Sequence, residues 1–518
     1  LYFAHDVADR PKRGKKTGDA GDDEAGKLYY HLTTLAMNPI GYGNLIKLSS
    51  QAFVDGYYYK PRIDWSMLER HSEGLLCTSS CLGGVVLQAV MNGEHDKAMS
   101  FLSRFKDIFG PERFFVEVQD HGIPEQQATN PFLLKAADEL GLRSIVTNDC
   151  HYVHSHDAAS HDALLCIQTG SLISNPNRFK FSSDQHHLKT AAEMRALFPD
   201  RPDLCDNTLL IADMAERAVN ISFDEYHLPS FPLPEGFTDP KEYLTHLTFQ
   251  GARKRWPNPT EVHRNRIQFE LDVICSMGFA DYFLICWDII EFAKSQGILR
   301  GTGRGSAASS AVSYSLGITD LDPIKHDLYF ERFLNPDRVS MPDIDMDFDT
   351  RYRDLLINYT RGKYGNDRVA QICTFGLIRS RNAIRDAVRV MGEERQLGDN
   401  LVSQLPDLLM GKETPLEACL APEAPKKYNR TWAQAQSLRD AYASDPKTRE
   451  VLDIAGGLEG LMRNVGIHAA AVIIADAPIT NYMPLATVKD RSSKSGERKV
   501  VTQFSMGPVE DLGLLKMD

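Results

Sequence analysis

Asp343, Asp345 and Asp347 alternate with Ile344, Met346 and Phe348, and an extended chain with that pattern turns its carboxylates to one face and its apolar side chains to the other. Carboxylates held this close repel and raise one another's pKa unless a cation stands between them. The spacing therefore points to a divalent metal. A calcium loop also opens D-x-D-x-D, but it needs Gly at its sixth position and Glu at its twelfth, where this chain has Phe348 and Asp354. From this run alone, an acidic solvent-facing strand is the remaining alternative.

Upstream stands Gly301-Thr302-Gly303-Arg304-Gly305-Ser306. It lacks the G-x-x-x-x-G-K-[ST] spacing of a Walker loop, and Ser306 stands where a dinucleotide fingerprint needs its third Gly. What survives is simple: glycines let backbone approach an anion, Ser306 offers a hydroxyl at a helix start, and Arg304 supplies charge. A triphosphate suits it; an ordinary Gly-rich turn is the plain alternative. Downstream, Arg381, Arg385 and Arg389 recur every four residues, and from Arg351 to Gly392 nine basic residues face three acids. That local surplus favours a track along a nucleic-acid backbone over a solvated helix face. Asp149 and His151, two apart in Thr147-Asn148-Asp149-Cys150-His151, point to one side and suit a shared metal or a hydrogen-bonded loop pair.

These residues need several domains to hold them. The 518 residues imply about three domains at about 100–200 residues each. With 42% hydrophobic and 25% charged residues, the composition is that of an ordinary globular chain. No apolar run approaches a membrane span and no signal peptide opens the chain, so the expectation is a cytoplasmic protein. Nine scattered cysteines without a C-x-x-C pair favour reduced thiols. A net charge of -12 argues against a small basic coating protein but leaves local clefts open. The chain begins at Leu1 rather than Met and stops at Asp518, as a piece of something longer would.

Residues 11–26 are Lys/Gly/Asp-rich and read as a solvated loop. From 28 to 212, helical stretches such as 96–109 and 132–140 alternate with apolar runs at 74–77, 114–118 and 144–147, the pattern of an α/β domain with a largely parallel sheet. Ligands gather at the carboxyl ends of such strands. Prolines cluster between 229 and 259 around a helix near 243–256, marking a boundary. Packing helices follow, stopped by Gly278 and Gly297; a helix whose stripe is Tyr352, Leu355, Leu356 and Tyr359 ends near Gly365. Residues 393–455 read as a separate subdomain of short polar helices, 466–474 as a buried strand and 490–499 as a flexible hairpin. His468 reads as a packing histidine rather than a catalyst.

Taken in order, Gly303-Arg304-Gly305-Ser306-Ala307-Ala308, Gly317-Ile318-Thr319-Asp320-Leu321-Asp322-Pro323, Phe330-Glu331-Arg332-Phe333-Leu334-Asn335-Pro336 and Met341-Pro342-Asp343-Ile344-Asp345 resemble the alpha subunits of bacterial DNA polymerase III. Gly466-Ile467-His468-Ala469 and Leu514-Leu515-Lys516-Met517-Asp518 match as well, and Thr147 to Tyr152 resembles the family's polymerase and histidinol phosphatase (PHP) domain. The resemblance implies an α/β multidomain chain: a barrel-like PHP domain at 1–212, a nucleotidyltransferase-like palm at 213–374 and 456–518, and a mainly helical thumb inserted at 375–455.

It further implies template-directed addition of dNTPs to a primer 3′ end. Asp343, Asp345 and Asp518 would hold two magnesium ions, and Arg304, Gly305, Ser306, Arg332 and Lys516 would contact the nucleotide's phosphates. Asp347 falls outside the family's pair. Metal roles carry over to Cys81, Asp149 and His151, with zinc or manganese as the ion; the family's remaining ligands, an H-x-H among them, are expected before Leu1. Primer-template DNA, a sliding clamp, other holoenzyme subunits and a proofreading exonuclease are the implied partners, with no membrane. Thr302, Ser309 and Ala311 depart from the family's Pro, Gly and Leu, and Ser309 is expected to crowd a tight helix contact. Fingers, clamp-binding and oligonucleotide-binding portions are expected beyond Asp518. Two other readings stand beside this one: a metal-dependent phosphoesterase or 3′-5′ exonuclease centred on Asp149 and His151, and a non-catalytic nucleic-acid-binding module.

Overall fold

The computed structural model describes residues 1–10, 27–223, 225–337, 341–490 and 498–517. The loop expected over 11–26 and the tip of the 490–499 hairpin lie outside them. The chain divides into two compact units, Leu1–Asn220 with Phe375–Val465, and Ile221–Thr374 with Gly466–Asp518.

The first unit is built on an open four-stranded sheet in the order Thr33–Ala36, Leu75–Thr78, Phe114–Val118, Arg143–Val146. The first pair is antiparallel and the other two are parallel. All five residues of Phe114–Val118 are buried, as befits a strand covered on both faces. A small second sheet pairs Tyr2–Phe3 with Tyr30–His31 and Arg62–Ile63. The helix His95–Phe109 buries Ala98, Leu102, Phe105 and Phe109, a three-and-four spacing that needs a partner surface.

The helix expected over 132–140 runs from Pro124 to Leu140 with Pro131 inside it. Proline removes one amide donor there. Buried side chains on the preceding turn supply other bonds: the Gln126 oxygen accepts from His121 N (2.8 Å) and Asn130 donates to the Gln119 carbonyl (3.0 Å).

Residues 375–465 do not stand apart. Their helices Ser380–Met391 and Pro446–Leu458 share one core with Ala163 and Cys166 of the helix Ala158–Thr169. The reason is the stripe Ala383, Ile384, Ala387, Val388 and Val390, all buried, which the short helices alone cannot cover.

The second unit holds a five-stranded sheet ordered Leu485–Lys489, Arg498–Thr502, Val369–Leu377, Met462–Ile474, Leu515–Met517. Against the sheet's core pack the helices Glu261–Ser276 and Ala280–Ser295, which turn at Gly278 and Gly297 with φ of 79° and 66°. In Arg353–Tyr364 the buried stripe is Leu356, Ile357, Thr360 and Tyr364. The expected stripe is rotated because Tyr359 stacks on Phe292 with centroids 3.8 Å apart and donates to Asp288, while Leu355 stays exposed. Among the described residues no single helix is long and apolar enough to cross a membrane.

Candidate active site

Among its described residues the acidic run forms no full strand. Among the described residues its ladder contact is the bridge between Phe348 and Arg300, supported by Gly301 N donating to the Asp347 carbonyl (2.8 Å) and Asp349 N to the Leu299 carbonyl (3.0 Å). The alternation survives without the ladder. Ile344 is buried, and Met346 and Phe348 pack on the core, while Asp343 and Asp347 keep 55% and 54% of their side-chain surface exposed and Asp345 only 21%. The fully buried Tyr282 accepts a hydrogen bond from Ile344 N (2.8 Å), pinning the backbone midway between Asp343 and Asp345.

The Gly-rich loop runs antiparallel to this segment. A Cβ on Gly301 would lie 3.0 Å from that of Asp347, so glycine permits the approach. Gly303 and Gly305, with φ of 86° and 68°, occupy left-handed backbone that ordinary residues avoid. The loop is anchored behind by Asp320, which bonds Arg300 (2.8 Å) and Arg255 (2.7 Å) and whose N donates to the Thr302 carbonyl (2.7 Å). Burial pushes the Asp320 carboxyl up, but Arg255 and Arg300 outweigh it and hold it below the usual range.

Cations meet the carboxylates from two sides. Arg304 Nη1 lies 2.9 Å from Asp345 Oδ2, and its Nε lies 3.1 and 3.3 Å from the two Asp347 oxygens. Lys516 on Leu515–Met517, opposite Ile473, is nearly buried; its Nζ lies 2.8 Å from Glu510 and 3.9 Å from Asp343. Asp518 lies outside the described residues. Arg332 sits exposed in the turn Phe330–Arg332 and makes no ion pair among the described residues.

The expected helix-start cradle is different in kind. Ser306 lies in a 3-10 turn, Gly305–Ser309, and the following α-helix starts only at Ala311. Its first amides are already taken: the fully buried Glu270 accepts from Ala311 N (3.0 Å), Val312 N (3.0 Å) and the Ser310 hydroxyl (2.8 Å), and pairs with Arg266 (2.6 Å). Those amides are therefore not open to an anion, and the nearby positive charge is that of Arg304 and Lys516. Ser309 is buried, and its hydroxyl donates to the Ser306 carbonyl at 2.6 Å. His468 is half-exposed, and its Nδ1 accepts from Ala471 N (2.9 Å).

In the first unit the carboxyl ends of the parallel strands gather a second set of side chains. Asp149, at a φ of 41°, lies 3.7 Å from His151; Cys81 meets His31 instead, at 3.3 Å. His186, whose ring stacks on His121 at 4.1 Å, approaches the Asp149 carbonyl at 3.4 Å. Local spacing gave no sign of His31 or His186, which come from distant stretches of chain. His151 holds the Asp149 carboxyl below its usual range against burial, while burial pushes the Cys81 thiol up to about 11. Among the described residues no three His, Cys, Asp or Glu side chains form a metal cluster. The donor chemistry nevertheless separates the two places: carboxylate oxygens suit magnesium, whereas imidazole and thiol suit zinc.

Burial, with the charge of His121 second, pushes His186 down to about 4. An unfolded histidine titrates near pH 6.5, so between about pH 6.5 and 4 the unfolded chain binds more protons, and stability present above that window is lost as pH falls through it. In chelator-treated protein the melting temperature should fall across this window, and less steeply in His186→Gln. Equal slopes would count against it.

The arginine stripe is paired. Arg381 lies 3.7 Å from Glu413, Arg385 3.2 Å from Asp399, and Arg389 3.0 Å from Asp386. Two of these acids lie outside the 351–392 window in which the basic surplus was counted.

Comparison with known proteins decides the family. A family model described as "Bacterial DNA polymerase III alpha NTPase domain" matches residues 242–518, more than half of the chain, and a PHP domain model matches residues 5–121. The chain belongs to the bacterial DNA polymerase III alpha family. Relatives named DNA polymerase III subunit alpha include those of Mycobacterium tuberculosis (41% identical over 98% of this chain and 42% of the relative), Borreliella burgdorferi (41%, over 96% and 41%) and Thermus aquaticus (40%, over 100% and 45%). The chain spans about two-fifths of the length of the curated relatives it matches. Its architecture is a PHP domain followed by a nucleotidyltransferase-like domain.

Proposed function

We propose that this chain is the PHP, palm and thumb portion of a replicative DNA polymerase, adding dNTPs to a primer 3′ end under the direction of a template. One observation carries the reading: Asp343 and Asp345 are held side by side against a glycine-flanked loop whose Arg304, and a strand whose Lys516, bring positive charge to them. In this reading 1–212 is the PHP domain, 213–374 and 456–518 are the palm, and 375–455 is the thumb. Two magnesium ions held by Asp343, Asp345 and Asp518 would activate the primer hydroxyl and steady the leaving pyrophosphate. Lys516, two residues before Asp518 in the chain, reaches toward Asp343, which supports that trio.

The chain's own part is binding and positioning. Arg304, Lys516 and Arg332 neutralise the triphosphate, Gly305 admits backbone close to it, and Ser306 offers its hydroxyl. Glu510 holds the Lys516 ammonium at 2.8 Å, so the lysine stays aimed when Asp343 turns to another cation. Cys81, Asp149 and His151 are the residues for zinc or manganese in the PHP domain, with His31 and His186 beside them. The sliding clamp, the other holoenzyme subunits and an exonuclease are its partners in the cytoplasm.

Primer extension by the full-length protein separates this from a phosphoesterase. Asp343→Ala should abolish extension while Asp149→Ala leaves it nearly intact; wild-type-like extension by Asp343→Ala would eliminate the polymerase reading of these carboxylates. Full extension by both variants would favour a non-catalytic module.

DNA contact by Arg381, Arg385 and Arg389 requires each to exchange its carboxylate for a phosphate. Each phosphate contact contributes about 0.9 to the slope of log affinity against log salt, so replacing all three with Ala should flatten the slope by about 2 to 3. A change below about 0.5 would remove them from the interface.

A further inference from the structure

We infer that Arg304 is a latch: its guanidinium, steadied by Asp347, occupies Asp345, a carboxylate that a divalent cation must bind, and cation binding releases it to meet the anionic substrate. The inference rests on the metal reading of Asp343 and Asp345 proposed above, and adds an order of events.

The geometry is that of a competitor. The Nη1 atom lies 2.9 Å from Asp345 Oδ2 while Nε lies 3.1 Å from Asp347 Oδ2, so one planar group spans two carboxylates. Asp345 is the least exposed of the three, at 21%, leaving few directions from which a cation can reach it. A guanidinium donates hydrogen bonds into oxygen lone pairs that a hard cation would use. One Asp345 oxygen cannot serve both fully.

Release is cheap and directed. Arg304 keeps 58% of its side-chain surface exposed and stands between Gly303 and Gly305, whose left-handed backbone (φ 86° and 68°) gives the loop conformations closed to other residues. Ion pairs at such exposure are individually weak. Once displaced, the same side chain is a free fork of donors beside the glycine loop, with the geometry that phosphate oxygens favour. Cation first and triphosphate second is then the favoured order, and by reciprocity the triphosphate, by holding Arg304, tightens cation binding.

Binding of Mn2+ to the full-length protein, without DNA or nucleotide, tests this through the electron paramagnetic resonance of free Mn2+. The palm site is identified as the class of binding lost in Asp345→Asn. Removing the competitor should tighten that class: Arg304→Ala binds Mn2+ about threefold to tenfold more tightly, the range for losing one or two exposed ion pairs. Arg304→Lys, which keeps the charge but loses the fork, falls between Ala and wild type. Adding a non-hydrolysable triphosphate should tighten Mn2+ binding in wild type and do so less in Arg304→Ala. Unchanged or weaker Mn2+ binding in Arg304→Ala overturns the latch alone. Absence of any Asp345-dependent binding overturns the metal reading and the latch with it.

Discussion

Asp345→Asn in the full-length protein is expected to lower kcat for primer extension by about a thousandfold or more, because an ion stabilising transition-state charge supplies several kcal/mol. Asparagine keeps the shape of the side chain and its place behind the glycine loop but lacks the charge that holds a hard cation. Asp345 is the residue to test because it is the least exposed of the row and lies next to the backbone bond that Tyr282 accepts from Ile344. Affinity for primer-template should stay within about twofold, since duplex binding draws on many phosphate contacts elsewhere. Rapid-quench extension with saturating DNA and nucleotide measures both. A loss below about tenfold in kcat would take Asp345 out of the reacting centre.

Glu270→Ala is expected to cost about 3–5 kcal/mol of stability, the usual penalty for removing one partner of a buried ion pair. Glu270 is fully buried and receives two amides, a hydroxyl and the Arg266 guanidinium. Alanine leaves those donors without a partner at the helix Ala311–Ser315, directly after the loop that carries Arg304. For a unit of this size a kcal/mol moves the melting temperature by about 2–4 °C, so a drop near 10 °C is expected by calorimetry. Glu270→Gln, which keeps one acceptor oxygen, should lose less. An unchanged melting temperature in Glu270→Ala would show that the loop does not depend on this cap.

Local patterns are more legible in the sequence than the partners that the fold brings to them. The alternation of 343–348 survives in burial although no strand forms, because apolar alternation reports which side chains face a core and not whether a neighbour completes a ladder. Composition marks the glycine loop, yet the helix start it suggests at Ser306 belongs to Ala311. The missing signal was Glu270, forty residues upstream, whose carboxylate claims that helix's first amides. Counting charges within 351–392 made Arg381 and Arg385 look unopposed, whereas Glu413 and Asp399 fold back onto them. Likewise Asp149 and His151 were visible as a local pair, but His31 and His186 reach them only through the fold. Helix stops at Gly278 and Gly297 were plain because glycine in left-handed backbone is a local property. Partners across the chain are not.

Anomalous scattering from Mn2+ in crystals of the full-length protein with primer-template and a non-hydrolysable dNTP would locate the metal ions relative to Asp343, Asp345 and Arg304. Two Mn2+ peaks are expected within about 4 Å of each other, bound by Asp343 and Asp345, with Arg304 turned from Asp345 to the nucleotide's phosphates. Peaks confined to the surroundings of Asp149 and His151, with Arg304 still on Asp345 beside bound nucleotide, would contradict that arrangement.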